Sequence, residues 1–221
     1  MRSRSFNFIA YAAVAADAVA HLRPGDGKVP LFVPENGFIA LNAPLTPRRV
    51  GSLSTRTTHP HYLSGLQAIF DKVGIRAEIE NPFRHQTKGE MIKLFGLPAE
   101  EVTNAMKTIS CGKWKRKGVQ CGHCVPCIIR RAAFHAGEID DVTPYGSTLL
   151  DTLNGARVHK KDDLMSMIRA ARSVDRLSIR AQALASGPLP QDGAERQGWF
   201  DVHKRGLYEV AQYLRAAGVM T

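Results

Sequence analysis

Residues 111–127 read CGKWKRKGVQCGHCVPC and contain every cysteine of the 221-residue chain. Tetrahedral zinc takes four thiolates, and closely spaced Cys-x-x-Cys pairs supply two of them from one tight turn. Four unrelated buried cysteines would not explain why the chain has none elsewhere. An iron–sulfur cluster also takes four cysteines, although its common runs have other spacings. We predict a structural zinc ion, Zn2+, with His123 outside the ligand set. The predicted ligands are Cys111, Cys121, Cys124 and Cys127.

The loop between the first two cysteines is strongly basic, as is the whole chain. Lys and Arg number 30 against 20 Asp and Glu, which gives a net charge of +10. Such a balance favours an anionic partner: nucleic acid, a nucleotide or an acidic protein. The loop either follows a phosphate backbone or is a solvated surface loop. Its basic residues, placed around Trp114, are Lys113, Lys115, Arg116 and Lys117.

Before the cysteines, helical and extended patterns alternate. Apolar residues at helical spacing predict a helix over 61–73, with Pro60 in its first position and His59 as the cap. FIALN, residues 38–42, fits a short strand or an extended packing segment. The order helix–strand–helix–strand–helix indicates an α/β domain with a parallel sheet. The other predicted elements are helices over 5–22, 87–96 and 99–109 and strands over 29–33 and 76–83.

After the cysteines the chain is predicted to be helical, with residues 186–193 as a linker. Three parts are expected: a partial α/β domain over 1–110, a zinc-binding segment over 111–146 and a helical extension over 147–221. The predicted helices of the extension are 148–154, 162–173, 177–185 and 198–217.

The N-terminal stretch is apolar but is interrupted by Asn7 and Asp17. We interpret it as a buried amphipathic helix, and no window is expected to reach the length of a membrane span. Cysteines at metal spacing, rather than scattered disulfide partners, also fit a reducing compartment. We therefore expect a cytoplasmic protein with no membrane partner.

Polar residues follow both predicted strands. Glu35 and Asn36 come after the first strand, and Asn81 follows the second. Ligands of open parallel sheets bind beyond the carboxyl ends of the strands. We expect these residues to lie at one sheet edge. Taken alone, the tripeptides Glu35-Asn36-Gly37 and Asn81-Pro82-Phe83 are also common turns.

The stretch SLSTRTTHPHY, residues 52–62, precedes the N-terminus of the predicted helix over 61–73. Free backbone N–H groups and the helix dipole make that end attractive to anions. Arg56 adds a bidentate donor, and His59 adds a titratable ring. Hydroxyl donors come from Thr55, Thr57 and Thr58. A capped loop whose hydroxyls bond their own backbone explains the composition equally well.

Several nucleotide-binding motifs are missing from the sequence. It contains no G-x-x-x-x-G-K-[ST] loop and no G-x-G-x-x-G fingerprint. It also contains no Ser-Gly-Gly-x-Asp-Ser run of the kind that cradles pyrophosphate in ATP pyrophosphatases.

The motifs taken in order resemble the QueC-like family, the 7-cyano-7-deazaguanine synthases of queuosine biosynthesis. SCGKWKRKGVQCGHCVPCIIRRAAFHAG (110–137) is similar to that family's closing signature. NPFRHQTKGEMIKLFG (81–96) resembles the segment before it, and RSFNFIAYAAVAA (4–16) resembles an alanine-rich helix of the family. PENGFIALNAPLTPRRVGSLSTRTTHPHYLSGLQ (34–67) is closer to the QatC-type QueC-like proteins of anti-phage systems.

The resemblance, which covers roughly residues 2–146, implies an adenine-nucleotide α-hydrolase-like, Rossmann-like fold with a parallel sheet and a structural zinc. It implies ATP-dependent activation of 7-carboxy-7-deazaguanine, C–N bond formation as in a ligase, and the four cysteines as zinc ligands. It also places Thr57, Thr58 and His59 where the synthases have a substrate-facing loop. With Arg56 they would bind the carboxylate or ring, and Glu35 and Asn36 would read the base edge.

The absent pyrophosphate loop leads us to expect the C-terminal, substrate- and zinc-binding part of such an enzyme, not active alone. ATP and Mg2+ would enter only where a second polypeptide or a longer chain supplies that loop. Two alternatives are a zinc-containing nucleic-acid-binding module and a non-catalytic subunit.

Overall fold

The computed structural model describes residues 4–45, 56–96, 98–155, 158–176 and 178–221, so that residues 52–55 of the predicted binding loop lie outside it. Two strands are interleaved with helices, and further helices follow. The elements are α1 (Arg4–Leu22), β1 (Val29–Phe32), α2 (Gly37–Leu41), α3 (Pro60–Val73), β2 (Ala77–Glu80), α4 (Lys88–Phe95), α5 (Ala99–Lys107), α6 (Trp114–Lys117), α7 (Val125–Ala136), α8 (Leu149–Gly155), α9 (Val158–Ala171), α10 (Ser178–Leu184) and α11 (Gly193–Ala216).

The two strands pair in parallel, with Val29 opposite Ala77 and Phe32 opposite Glu80. One face of this sheet is apolar and packs against α1 and α3. The other face is exposed at Phe32 and Glu80. A parallel pair needs a crossover connection, and α3 lies within that connection. The predicted α/β class with a parallel sheet is thereby confirmed for the two strands of the described chain.

The prediction of extended structure over 38–42 is wrong, because these residues form α2. The side chain of Asn36 caps this helix by accepting a hydrogen bond from the Ile39 N–H at 3.0 Å. Asn42 ends it in the left-handed conformation, with φ of 42°. A run of only four apolar residues, Phe38 to Leu41, has no decisive period, and the cap determines its conformation here.

The helices after the cysteines pack against the segment before them. α11 lies against α7 and α2, and its Leu207, Val210 and Leu214 belong to the largest apolar core, together with residues of α7 and α9. α11 begins five residues earlier than the sequence predicts, because Asp192 accepts from the Glu195 N–H at 2.8 Å and caps it. The three-part division of the chain stays a prediction.

The expectation that no stretch reaches the length of a membrane span is wrong for α1. Its residues Ser5–Leu22 are long and apolar enough to cross a membrane, judged by length and composition alone. A core helix and a signal sequence pass the same test, and 22% of these residues are buried. Ile9, Ala13 and Ala16 supply the side that packs on the sheet. Location in the cytoplasm stays an expectation.

Candidate metal centre and adjoining cavity

The four cysteines form one buried cluster, as predicted. Their Sγ atoms all lie within 4.8 Å of one another. The Sγ atoms of Cys121 and Cys127 are 4.0 Å apart, as are those of Cys111 and Cys124. Zinc–sulfur bonds near 2.3 Å place the sulfurs of a tetrahedral site about 3.8 Å apart. The cluster therefore fits a tetrahedral metal ion with little movement.

Backbone N–H groups point at two of the four sulfurs. The N–H groups of Lys113 and Cys121 donate to the Sγ of Cys111 at 3.4 and 3.3 Å. The Cys124 N–H donates to the Sγ of Cys121 at 3.4 Å. Gly122 makes the turn with φ of +82°, where a Cβ would collide with the Ser147 carbonyl oxygen. This is a cradle for thiolate ligands, which also bind metals best.

Two side chains next to the cluster have structural partners. The Nδ1 atom of His123 lies 3.0 Å from the Cys121 carbonyl oxygen and 3.0 Å from Ser147 Oγ. Arg130, on α7, is buried and donates to Thr108 Oγ1 at 2.6 Å and to the Ala105 carbonyl at 2.9 Å. Arg130 thus fixes the metal-binding helix to the end of α5. A donor set of four thiolates suits zinc or an iron–sulfur cluster.

A cavity of about 410 Å³ lies next to the start of α3, and a second, of about 360 Å³, adjoins the cysteine segment. The second cavity opens beyond the end of β1, where the sequence predicted a ligand. Ser110, which precedes the first metal ligand, lies in its wall. The polar side chains that line this second cavity include Glu35, Lys88 and Ser110. Its apolar side chains include Phe38, Ile39, Leu45, Ile109, Val125 and Ile129.

Glu35 and Lys88 are an oppositely charged pair in this apolar setting. Burial raises the pKa of Glu35, which Lys88 partly opposes. Burial lowers the pKa of Lys88, which Glu35 partly opposes. Both shifts have desolvation as their main cause, because each charge is costly in a low-dielectric site. A polar ligand that pairs with either group would relieve this cost.

Asn36 has a structural role beside that pair. Its side-chain amide donates to Glu35 Oε1 at 2.8 Å while its oxygen caps α2, and the residue is 1% exposed. Asn81 donates from Nδ2 to the Glu35 carbonyl at 2.8 Å, so the two strand ends meet as the sequence predicts. Asn36 and Asn81 therefore hold the Glu35 backbone and side chain in place.

His59 and Arg56 lie at the first cavity, of about 410 Å³, beside the start of α3. His59 caps α3 as predicted: its Nδ1 accepts from the His61 N–H at 3.2 Å. Its Nε2 lies 3.0 Å from Ser186 Oγ, so both ring nitrogens are engaged. Arg56 donates to the Ala185 carbonyl at 3.2 Å. Both side chains attach α3 to the loop that follows α10.

The six residues predicted to bind substrate are not gathered in one cavity. Glu35 faces the cavity beside the metal segment, and Arg56 and His59 face the first cavity. Thr58 lines a third, of about 630 Å³, along α3 and β2. Thr57 lies in the turn before α3 and lines none of these three. Their assignment to substrate binding stays a prediction.

Sequence reasoning missed Lys88 and Ser110. Lys88 begins α4 behind Thr87, which forms a capping box with Glu90. The signal was present, since a Thr-x-x-Glu box after a strand end places the next residue at the edge of the sheet. The only sequence feature that marked Ser110 was its position directly before Cys111.

The geometry defines a segment with four buried cysteines that fits a metal ion, in an α/β protein. Comparison with known proteins adds the family: residues 58–138 match the family model described as "Queuosine biosynthesis protein QueC". The match makes this segment QueC-like, and it contains the whole cysteine cluster.

Individual relatives agree with the family match. A 7-cyano-7-deazaguanine synthase from Coxiella burnetii (strain RSA 493 / Nine Mile phase I) is 33% identical over 93 residues, which is 39% of this chain and 39% of that protein. The synthase from Nitrosospira multiformis is 32% identical over 92 residues, or 39% of this chain and 38% of its own length. That from Rickettsia rickettsii (strain Sheila Smith) is 34% identical over 92 residues, or 39% of each. The chain thus spans about two fifths of the length of these relatives, and no solved structure matches it.

Proposed function

We propose that the chain is the substrate- and metal-binding part of a QueC-like enzyme that processes a deazaguanine. The observation that carries the proposal is a single cavity that places Glu35 and Lys88 beside Ser110 and the cysteine cluster; half of its lining residues, Lys88 and Ser110 among them, belong to the QueC-like segment. The ligand would be 7-carboxy-7-deazaguanine, whose planar ring and carboxylate suit an apolar cavity with a few polar groups.

Each polar group has a role in this proposal. The Glu35 carboxylate accepts N–H groups from the base edge, which a purine-like ring presents in pairs. The Lys88 ammonium pairs with the ligand's carboxylate, and this contact is charge-assisted. The apolar side chains enclose the ring and exclude water, which strengthens both contacts. The metal, proposed to be zinc, holds the cavity wall at Ser110 and has a structural role.

The proposal also covers the rest of the reaction. We propose an adenine-nucleotide α-hydrolase-like fold, in which ATP with Mg2+ activates the ligand's carboxylate before a C–N bond forms. The pyrophosphate loop would belong to a separate segment or a second polypeptide. The biological role that we propose is phage defence. Co-expression with neighbouring genes, followed by copurification and mass spectrometry, tests for that polypeptide.

Calorimetric titration with 7-carboxy-7-deazaguanine tests the binding site. We expect Glu35→Gln to weaken binding at least about tenfold, because a charge-assisted hydrogen bond is worth about 1.5–3 kcal/mol. Asp201→Asn, an exposed change on α11, is the control and should bind like the wild type.

The same titration separates the two candidate places for the ligand. Arg56→Ala and His59→Ala alter the first cavity and leave the Glu35 cavity intact. Loss of binding only in these two variants would move the site to the start of α3. Equal binding by all the variants would refute both assignments.

An exposed basic turn favours nucleic-acid binding as a second candidate function. α6 leaves Lys115 and Arg116 exposed and Trp114 37% exposed. Phosphate contacts release counterions, so affinity should fall steeply with salt. We expect Lys115→Gln with Arg116→Gln to lower the salt slope for a single-stranded RNA. An affinity that does not depend on salt would exclude this function.

A further inference from the structure

α11 lies outside the QueC-like segment, yet it contacts residues that flank Lys88 and residues two and three positions after Glu35. Glu35 is followed by α2, and Lys88 is the first residue of α4. α11 packs on α2 and binds the first turn of α4 through two side chains, Arg205 and Glu209.

Arg205 is the first of these contacts. Its Nε donates to Glu90 Oε1 at 2.5 Å, and its Nη2 donates to the His85 carbonyl at 2.5 Å. Glu90 is the capping-box partner of Thr87. Arg205 therefore fixes both the loop that enters α4 and the carboxylate that caps it.

Glu209, one turn further along α11, is the second contact. It accepts a hydrogen bond from the Thr87 hydroxyl and another from the Gly89 N–H at 3.3 Å. Thr87 and Gly89 are the residues on either side of Lys88. A Cβ at Gly89 would lie 2.6 Å from Glu209 Oε1 and 2.8 Å from the Ala136 Cβ of α7. The first turn of α4 is thus fitted closely between α11 and α7.

Glycines allow the same close approach on the Glu35 side. A Cβ at Gly206 would overlap the ring of Phe38, the second residue of α2. A Cβ at Gly37 would lie 2.9 Å from Val202 Cγ1. The helix that starts after Glu35 therefore rests directly on α11.

We infer that Arg205 and Glu209 are positioning residues that hold the Lys88 ammonium in the cavity opposite Glu35, and that α11 is therefore a part of this binding site. The inference rests on the proposed function only for the ligand's identity. Two side chains of α11, four residues apart, fix α4, while Gly206 of α11 and Gly37 of α2 allow the close contact between those two helices. Lys88 is held by its neighbours Thr87 and Gly89, and no contact of α11 with its amine is needed.

The test measures the ionisation of Lys88 without any ligand. An amine-reactive ester is applied to the whole chain between pH 6 and 11, and modification of Lys88 is followed by mass spectrometry. Glu35 and Arg130 are the charged groups that influence this amine, and burial lowers its pKa below the usual value. Only the neutral amine reacts, so wild-type Lys88 should label at lower pH than exposed Lys204 of the same sample.

We expect the labelling midpoint of Lys88 to rise towards that of Lys204 in Glu209→Gln and in Arg205→Lys, since a displaced amine regains water. The matched controls on α11, Asp201→Asn and Arg215→Lys, should leave the midpoint unchanged. Arg205→Lys keeps the charge, and it serves as the variant of choice where Glu209→Gln gives little folded protein.

An unchanged Lys88 midpoint in both variants would overturn the inference, and a lower melting temperature alone would then mean a merely structural role. The wild type could fail to bind the deazaguanine while the Lys88 labelling midpoint still shifts in the α11 variants. That result would count against the proposed function and leave the role of α11 intact.

Discussion

The Nε2 atom of His59 lies 3.0 Å from the Oγ of Ser186, and this contact joins residues 127 positions apart. Ser186 Oγ in turn donates to the Ala183 carbonyl at 2.6 Å. Because the His61 N–H donates to the Nδ1 of His59, the ring carries its proton on Nε2 and is neutral. Burial is the main cause that lowers the pKa of His59 to about 4.

Replacement of His59 separates its two contacts. His59→Ala removes the helix cap and the link to Ser186, and we expect a loss of about 1–3 kcal/mol in the free energy of unfolding. His59→Asn keeps a capping oxygen and should recover part of that loss. Urea unfolding measures both, and Ser186→Ala leaves the cap in place while removing the link together with the bond of Ser186 to the Ala183 carbonyl. Equal stability of the alanine and asparagine variants would show that the cap contributes nothing.

Acid should destabilise the protein through His203. This ring is 0% exposed on α11 and packs 5.6 Å from the Phe38 ring, and burial lowers its pKa to about 4. A depressed pKa stabilises the fold above the ordinary value near 6.5, and this stability is lost as the pH falls from 6.5 through 4. The loss is on the order of 3 kcal/mol.

The measurement for His203 is the free energy of unfolding at several pH values between 7 and 4. His203→Gln has a similar size and does not titrate, so its profile should be flatter than that of the wild type. His21→Gln, at an exposed histidine, is the control. A wild-type slope retained in His203→Gln would contradict the assignment.

Two glycine-to-alanine substitutions should act in opposite directions. At Gly65, within α3, a Cβ meets nothing within 4 Å, and alanine should stabilise by up to about 1 kcal/mol. At Gly89 the added Cβ would press on Glu209 and on the Ala136 Cβ of α7, so alanine should destabilise by about 1–3 kcal/mol. Thermal unfolding of the two variants gives the comparison. Stabilisation by Gly89→Ala would show that α11 and α7 do not restrict the start of α4.

Removal of the metal should unfold the cysteine segment. Metal analysis is expected to give one zinc per chain, and chelation should reduce helical circular dichroism, because metal binding and folding are coupled. Cys124→Ser should lose zinc, whereas Lys115→Gln in the same segment should keep it. Iron with visible absorption, or metal-free protein with unchanged structure, would refute the prediction.

The sequence predicted what local rules determine. The cap His59, the Pro60 start of α3 and the cysteine cluster follow from short motifs, and all three are confirmed. The prediction for FIALN failed because its four apolar residues fit either period, and the choice depends on Asn36 and on packing against Gly206 of α11. Lys88 was missed because a lysine in a first helical turn is ordinarily solvated. Only the three-dimensional packing of α4 and α7 brings it into a cavity with Glu35.

The most direct test of the central claim is the affinity ratio between 7-carboxy-7-deazaguanine and the uncharged 7-cyano-7-deazaguanine, measured by calorimetry. The wild type should prefer the carboxylate by about tenfold or more, because its charge pairs with Lys88. In Lys88→Met, which keeps the length of the side chain, this preference should fall to about one. A preference that is the same in both proteins would contradict the claim that the cavity between Glu35 and Lys88 holds the ligand.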